Sequence, residues 1–320
     1  MFEYICGGGF FNQELPATLA NEGRKMLQAL LDELKLNKHI QIVLLLDSRF
    51  ANLELPINCE VVWANDVNFL LSFDIQLDRC EAVLPIAPEQ DDLLSQIAVR
   101  VKERHKQLWL SAPNTVRLCT HKLQTLEHLA QAGLAVVETQ WLNDCQNLSS
   151  SSWVIKPNDG MGCQGSMIIH GQQGGALTQT ENLIIQPFIE GESLSLSAVF
   201  FAGKGHLLTC NRQHIRQTQQ SFSLHGCTIN IQHNLRQEFT RMIDRIAAAL
   251  PDLWGYIGID LILSPEHGPL ILEINPRLTT SYAGLYPATG ISIHLQLFNA
   301  LNGRAYDFTP IWNKSIDVYV

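Results

Sequence analysis

The chain has 320 residues, 46% hydrophobic and 17% charged, an ordinary globular composition with enough length for a sizeable core. Its formal net charge of -9 argues against a nucleic-acid or anionic-membrane partner, since neither polyanion would attract it. The eight cysteines are scattered singly without zinc spacing, and the longest apolar run, Ile42–Leu46, is too short for a bilayer, so a cytoplasmic protein with reduced thiols is expected.

Roughly the first hundred residues alternate between strand-like and amphipathic helical runs, the pattern of an α/β layer with a parallel sheet. Tyr4–Cys6 reads as a short strand that runs into Gly7-Gly8-Gly9. Leu19, Met26, Leu27, Leu30, Leu31 and Leu34 recur at helical spacing and predict a helix over 17–36. Strands at 41–46, 61–63 and 82–86 and helices at 67–77 and 91–105 complete the layer. Ligands of such sheets gather at the carboxyl ends of strands, where Gly7–Gly9, Asp47, Arg49 and Glu89 lie. The triple glycine lacks the spacing of a dinucleotide fingerprint, and a flexible turn and a binding loop are both open to it.

Ala112-Pro113-Asn114 marks a domain boundary. Beyond it, Leu118–Leu129 is amphipathic and predicts a helix with Lys122 near its start. Trp153–Pro157 is an apolar strand that delivers Lys156, and the turn after it carries Gly160, Gly162 and Gly165. Glycines let backbone N–H groups approach phosphate oxygens, although no P-loop spacing occurs. Leu183–Ile189 is extended and ends in Glu190-Gly191-Glu192. Residues 195–202 and 205–210 form a hairpin, followed by the cationic run Asn211–Arg216. That run is either a solvated loop or, through Arg212, a contact for phosphate or carboxylate; His214 and His225 read as structural. A helix over 234–250 leads to the most informative stretch.

Gly255–Leu263 and Leu270–Asn275 are strands joined by the turn Ser264–Gly268. Alternation places Glu273 and Asn275 on one face, and Asp260 on the partner strand can join them. Two carboxylates and an amide oxygen make a hard, all-oxygen donor set suited to Mg²⁺. Arg277 faces the same side and supplies a planar donor fork. Thr279, Thr280 and Ser281 either contact substrate or cap a following helix, and Ile291–Leu301 is helical and apolar enough to close the core.

Asp260 followed across a hairpin by Glu273-Ile-Asn-Pro-Arg277 closely resembles the metal site of the ATP-grasp superfamily of carboxylate–amine ligases, and the resemblance extends over about residues 110–305. Tyr4–Gly9, Leu15–Leu27 and Glu273–Tyr282 resemble, more narrowly, the ligase group that includes the tyramine–glutamate ligase of methanofuran synthesis. The resemblance implies an α/β architecture of the α+β ATP-grasp kind. An N-terminal parallel-sheet domain would span 1–110, a central lobe 111–195, and a C-terminal lobe with the metal and substrate site 196–320.

The resemblance also implies ATP and Mg²⁺, with Mn²⁺ as a substitute. Asp260, Glu273 and Asn275 would hold the metal. Lys122 would reach the α-phosphate, although His121 stands where an Asp is usual. Lys156 and the loop of Gly160, Gly162 and Gly165 would surround the other phosphates, although Cys163 stands where glycine is common. Gln186, Phe188 and Ile189 would line the base, with Glu192 or Ser193 toward the ribose. Arg277, Lys156 and Arg212 would neutralise charge during catalysis. The implied partners are a small-molecule carboxylate and an amine, glutamate-like acid and aromatic ethylamine first, with homo-oligomerisation left open. Two rivals stand beside this ligase reading: a degenerate nucleotide-binding protein, and an ATP-grasp enzyme with another acceptor.

Overall fold

A computed structural model describes residues 1–64, 69–145, 152–160, 163–170 and 181–320. The N-terminal layer comprises β1 (Phe2–Glu3), α1 (Ala17–Leu34), β2 (Ile42–Leu46), β3 (Cys59–Trp63), α2 (Phe69–Arg79), β4 (Ala82–Val83), β5 (Pro85–Ile86), α3 (Leu93–Glu103) and β6 (Gln107–Leu108). Its strands pair in parallel, β1 with β5, β2 with β3 and β4 with β6. The apolar face of α1 buries Leu27, Leu30 and Leu31 against Leu44 and Leu46.

The structure corrects the expected strand at Tyr4–Cys6. The strand ends at Glu3, and Ile5–Gly9 winds a wide π-type turn in which Gly8 holds a φ of 100°, a conformation a Cβ would oppose. Helix α3 starts two residues later than expected because Asp91 and Asp92 both hold left-handed backbone. Val67, the expected start of α2, lies outside the described residues.

The central part contains α4 (Pro113–Thr120), α5 (Lys122–Gln131), β7 (Gln140–Trp141), β8 (Ser152–Pro157), β9 (Met167–His170) and β10 (Leu183–Pro187). The four strands form an antiparallel sheet in the order β7-β10-β8-β9. The single helix expected at 118–129 is two. His121 is extended between them (φ -95, ψ 99), and Asn158 from the loop after β8 caps the second. The Lys122 amide donates to Asn158 O and the Leu123 amide to Asn158 Oδ1, each at 2.9 Å.

The last part contains β11 (Glu192–Phe201), β12 (Lys204–Gln217), β13 (Phe222–Ile229), α6 (Arg236–Ala249), β14 (Gly255–Ser264), β15 (Gly268–Asn275), α7 (Tyr282–Thr289), α8 (Ile293–Leu301) and β16 (Ile316–Tyr319). Six of these form an antiparallel sheet in the order β15-β14-β11-β12-β13-β16. Strand β12 absorbs Asn211–Arg216, so that run is sheet and not loop. One sheet face is apolar: Leu194, Leu196, Ile257, Ile259 and Leu261 are fully buried and cluster with Phe239, Ile243 and Ile246 of α6. The other face carries Ser195, Ser197, Tyr256 and Asp260, as the two-residue strand period requires. Among the described residues no helix is long and apolar enough to cross a membrane.

Candidate active site

A cavity of about 610 Å³ lies between the four-stranded sheet and the polar face of the six-stranded one. Its floor is the β14–β15 hairpin, where Asp260 and Glu273 stand opposite each other in register. A bulge shifts that register between Asp260 and Leu261, so Ile271 stays in the core while Leu272 and Glu273 both line the cavity. Asn275 Nδ2 donates to Asp260 Oδ2 at 3.2 Å. Gln213 Nε2 donates to Asp260 Oδ1 at 2.9 Å.

Two lysines face these carboxylates. Lys122, buried at the first turn of α5, places Nζ 3.1 Å from Glu273 Oε2 and donates to Gly160 O. Lys156 lines the cavity from β8. Burial pulls its amine down to about 8, against the Glu273 carboxylate that favours the charge. The carboxyls are driven apart. Burial works against the charge of Glu273, but Lys122 and then Lys156 overcome it and hold that group at about 2. Asp260 is pushed well above its usual range by burial and by the charge of Glu273. Among the described residues no group of three or more His, Cys, Asp or Glu side chains is arranged for a metal. Asp260, Glu273 and Asn275 together offer two carboxylates and an amide. Oxygens of this kind suit a hard divalent cation, and Asp260 is the carboxyl left without enough cationic relief.

Away from the carboxylates the lining is mostly apolar. Val154, Gln186, Phe188 and Ile189 line it from the side of the four-stranded sheet, and Ser193, Ile262 and Leu272 from the six-stranded one. Gln186 Nε2 donates to Thr139 Oγ1 at 2.8 Å, and the Phe188 amide donates to Ser152 O at 3.0 Å. The rings of Phe188 and Phe222 stack at 6.3 Å and 7°. Together these side chains form an apolar slot beside the carboxylates. Cys163 also faces the cavity, but burial and then the charge of Glu273 push its thiol up to about 11, which disfavours a nucleophilic thiolate.

Other expected residues sit elsewhere. Arg212 Nε pairs with Glu192 Oε1 at 2.5 Å, and neither side chain lines the cavity. Their neighbours do: Ser193 on β11, and Gln213, Ile215 and Gln217 on β12. The strand pitch thus delivers Gln213, which the sequence reading passed over in favour of Arg212. Its only signal was alternation with Ile215 and Gln217.

Arg277 is partly buried and forms a two-pronged pair with Glu89, Nε to Oε1 and Nη2 to Oε2, each at 2.7 Å. Burial opposes the Arg277 charge, but Glu89 more than restores it. The hydroxyls after it are bonded within the protein: Thr279 to Tyr256, Thr280 to Glu22 and Ser281 to Ser195. Gly160 and Gly165 pack on Pro157, with Gly165 at a φ of 70°, while Gly162 lies outside the described residues.

The ATP-grasp domain family (ATP-grasp 3) matches residues 119–281, and the pre-ATP-grasp 3 domain matches residues 40–116. The chain belongs to the ATP-grasp family. It is similar to the tyramine–L-glutamate ligase of Methanocaldococcus fervens, 27% identical over 291 residues that cover 89% of this chain and 88% of that one. An ATP-grasp superfamily protein from Archaeoglobus fulgidus shares its fold with a TM-score of 0.77 at 22% identity, over 99% of this chain and 90% of that one. The L-amino acid ligase of Bacillus licheniformis superposes with a TM-score of 0.68 at 17% identity, over 90% and 73% of the two chains. Within the family, the chain is an ATP-using enzyme of the carbon–nitrogen ligase class.

Proposed function

We propose that the chain is an ADP-forming carboxylate–amine ligase that activates its acid as an acyl phosphate, with a glutamate-type acid and an aromatic ethylamine such as tyramine as the first pair to test. The likeness to tyramine–L-glutamate ligases over most of both chains supports that pair and a place in methanofuran-type cofactor synthesis. The observation that carries the reading is the Asp260–Glu273 pair, faced by Lys122 and Lys156 at the floor of a cavity with an apolar slot. The division into units 1–110, 111–195 and 196–320 belongs to the same proposal.

In this reading Asp260, Glu273 and the Asn275 amide oxygen would hold Mg²⁺. When bound, the ion neutralises phosphate charge and orients the terminal phosphoryl group. Lys122 and Lys156 balance the remaining phosphate charge, and Arg277 faces the group in transfer. Gln213 and Asn275 fix the orientation of Asp260. Gln186, Phe188 and Ile189 take the base, and Ser193 lies nearer the sugar than Glu192. A carboxylate oxygen of the acid attacks the γ-phosphorus, the bond to the β-phosphate oxygen breaks, and ADP leaves. The amine nitrogen then attacks the acyl carbon, the carbon–oxygen bond to phosphate breaks, and the surplus ammonium proton goes to solvent. No protein nucleophile is required, consistent with the raised Cys163 thiol.

The test replaces the amine by hydroxylamine, with acid and Mg-ATP present. A hydroxamate of the acid is expected, and oxygen-18 placed in the acid should emerge in inorganic phosphate during the full reaction. Amide formed with the label in AMP would overturn the acyl phosphate in favour of adenylation.

A further inference from the structure

The segment Glu89–Asp92 follows β5 in the N-terminal layer, yet it meets the ATP-binding half at three places. Glu89 holds Arg277 through two parallel bonds, and the two side chains are largely shielded, 6% and 11% exposed. The Asp91 amide donates to Asp159 Oδ2 at 3.2 Å, in the loop that follows Lys156. His121, the residue before Lys122, places Nε2 3.4 Å from Asp92 Oδ1. Asp91 and Asp92 hold φ of 56° and 58°, backbone that non-glycine residues adopt in succession only when their surroundings impose it. The Glu89–Arg277 and Asp91–Asp159 hydrogen bonds thus hold the turn against the ATP-binding half.

An arginine side chain on its own samples many rotamers. Glu89 removes that freedom by taking the Nε–Nη2 edge of the guanidinium, while Leu278 O accepts from Nη1 at 3.0 Å. The fork has donors beyond these, so a further anion can still be bound. We propose that Glu89 is a positioning residue: it fixes Arg277 for the phosphoryl group in transfer, which makes the N-terminal layer part of the reaction centre. This rests on the reading above only in taking Arg277 to face that group.

The experiment measures inorganic phosphate binding to the full chain loaded with Mg-ADP, by calorimetry, for the parent, Glu89→Gln, Glu89→Asp, Arg277→Ala and Glu89→Gln/Arg277→Ala. Replacing the charged, two-pronged partner should weaken phosphate binding about tenfold in Glu89→Gln. Mg-ADP affinity should stay within about twofold, because the nucleotide slot is untouched. The double variant should bind phosphate no more weakly than Arg277→Ala alone. Glu89→Asp keeps the charge with a shorter reach and should fall between parent and Glu89→Gln, so a poorly folding Glu89→Gln leaves a working comparison. In turnover, kcat should fall while the KM for ATP holds.

Each failure has a distinct meaning. Arg277→Ala with unchanged phosphate affinity removes the premise that Arg277 faces the phosphoryl group. Weak binding in Arg277→Ala beside parent-like binding in Glu89→Gln overturns the proposal alone. Additive losses, or phosphate and Mg-ADP affinities falling together with the melting temperature, would reduce Glu89 to a structural support. Phosphate binding as predicted, in a protein that joins no acid to any amine, would leave the proposal standing while the ligase reading fell.

Discussion

Replacing Glu273 by Gln separates the architecture of the site from its chemistry. The Lys122–Glu273 pair is largely shielded, with side chains 7% and 12% exposed and 3.1 Å between the charged atoms. At that distance, with an effective dielectric constant of about 20, the attraction is about 5 kcal/mol. Lys156 adds to that attraction and Asp260 on the same floor repels Glu273, so removing the charge loses two favourable terms and relieves one unfavourable one. The net effect should be a destabilisation of about 3 kcal/mol, a shift of several degrees in a chain that still folds. Metal affinity has no such compensation. Loss of one of two anionic donors should weaken it about a hundredfold or more, beyond what changing a residue behind a ligand does. Titration with Mn²⁺ in the presence of ADP, followed by electron paramagnetic resonance, reads this directly, and ADP release at ordinary Mg²⁺ should fall with it. Unchanged Mn²⁺ affinity in a variant with unchanged circular dichroism would show that Glu273 is no ligand.

Two further substitutions test how the site is supported. A Cβ at Gly258 would come within 2.6 Å of Thr279 Cγ2, so Gly258→Ala should displace the segment after Arg277 and destabilise by about 1–3 kcal/mol, measured by urea denaturation. No loss of stability would mean that this segment yields freely. Glu3 is buried, and burial raises its carboxyl above the usual range despite the Cys6 amide bond at 2.6 Å. A carboxyl raised on folding favours the folded state below its ordinary pKa, and that contribution is lost as pH rises through the raised value. Glu3→Gln should therefore flatten the decline of melting temperature above about pH 4.5; an unchanged slope would assign the pH dependence to other groups.

Most of the floor was legible in the sequence because strand pitch is rigid. Asp260, Glu273 and Asn275 are brought together as alternation across a hairpin requires, and Lys122 and Lys156 arrive at the carboxylates from two other elements. Long amphipathic runs such as α1 and α6 were equally plain. What escaped was decided by tertiary contacts. Asn158 breaks the helix at His121 from a loop thirty-seven residues downstream, as its bond to Leu123 shows, and no local preference encodes that. Arg212 was preferred for its charge, yet a strand offers only alternate residues to one face, and the face it offered held Gln213. The Leu272 bulge likewise has no signature in a uniformly apolar run. Glu89 stood at a strand end where ligands gather, but its partner lies 188 residues away.

The same floor yields a last prediction, in which stability and function move in opposite directions. Asp260 is surrounded unfavourably for an anion: burial raises its carboxyl, and the ionised Glu273 across the hairpin raises it further. Both lysines act chiefly on Glu273. Near neutral pH the folded chain therefore either bears the cost of a second buried negative charge or takes up a proton that the unfolded chain does not hold. Asp260→Asn removes that cost while conserving shape. Gln213 and Asn275 both donate to the carboxylate, and rotation of either amide can turn one donor into an acceptor for the new NH₂. The variant should melt about 2–4 °C higher without ligand, since relief of about 1 kcal/mol has that effect in a chain of this size. Mn²⁺ affinity and ADP release should fall steeply, because the relief that the substitution gives permanently is the relief a cation would give on binding. A lower melting temperature with metal affinity intact would mean that Asp260 is held as a neutral structural acid, and that Glu273 and Asn275 do without it.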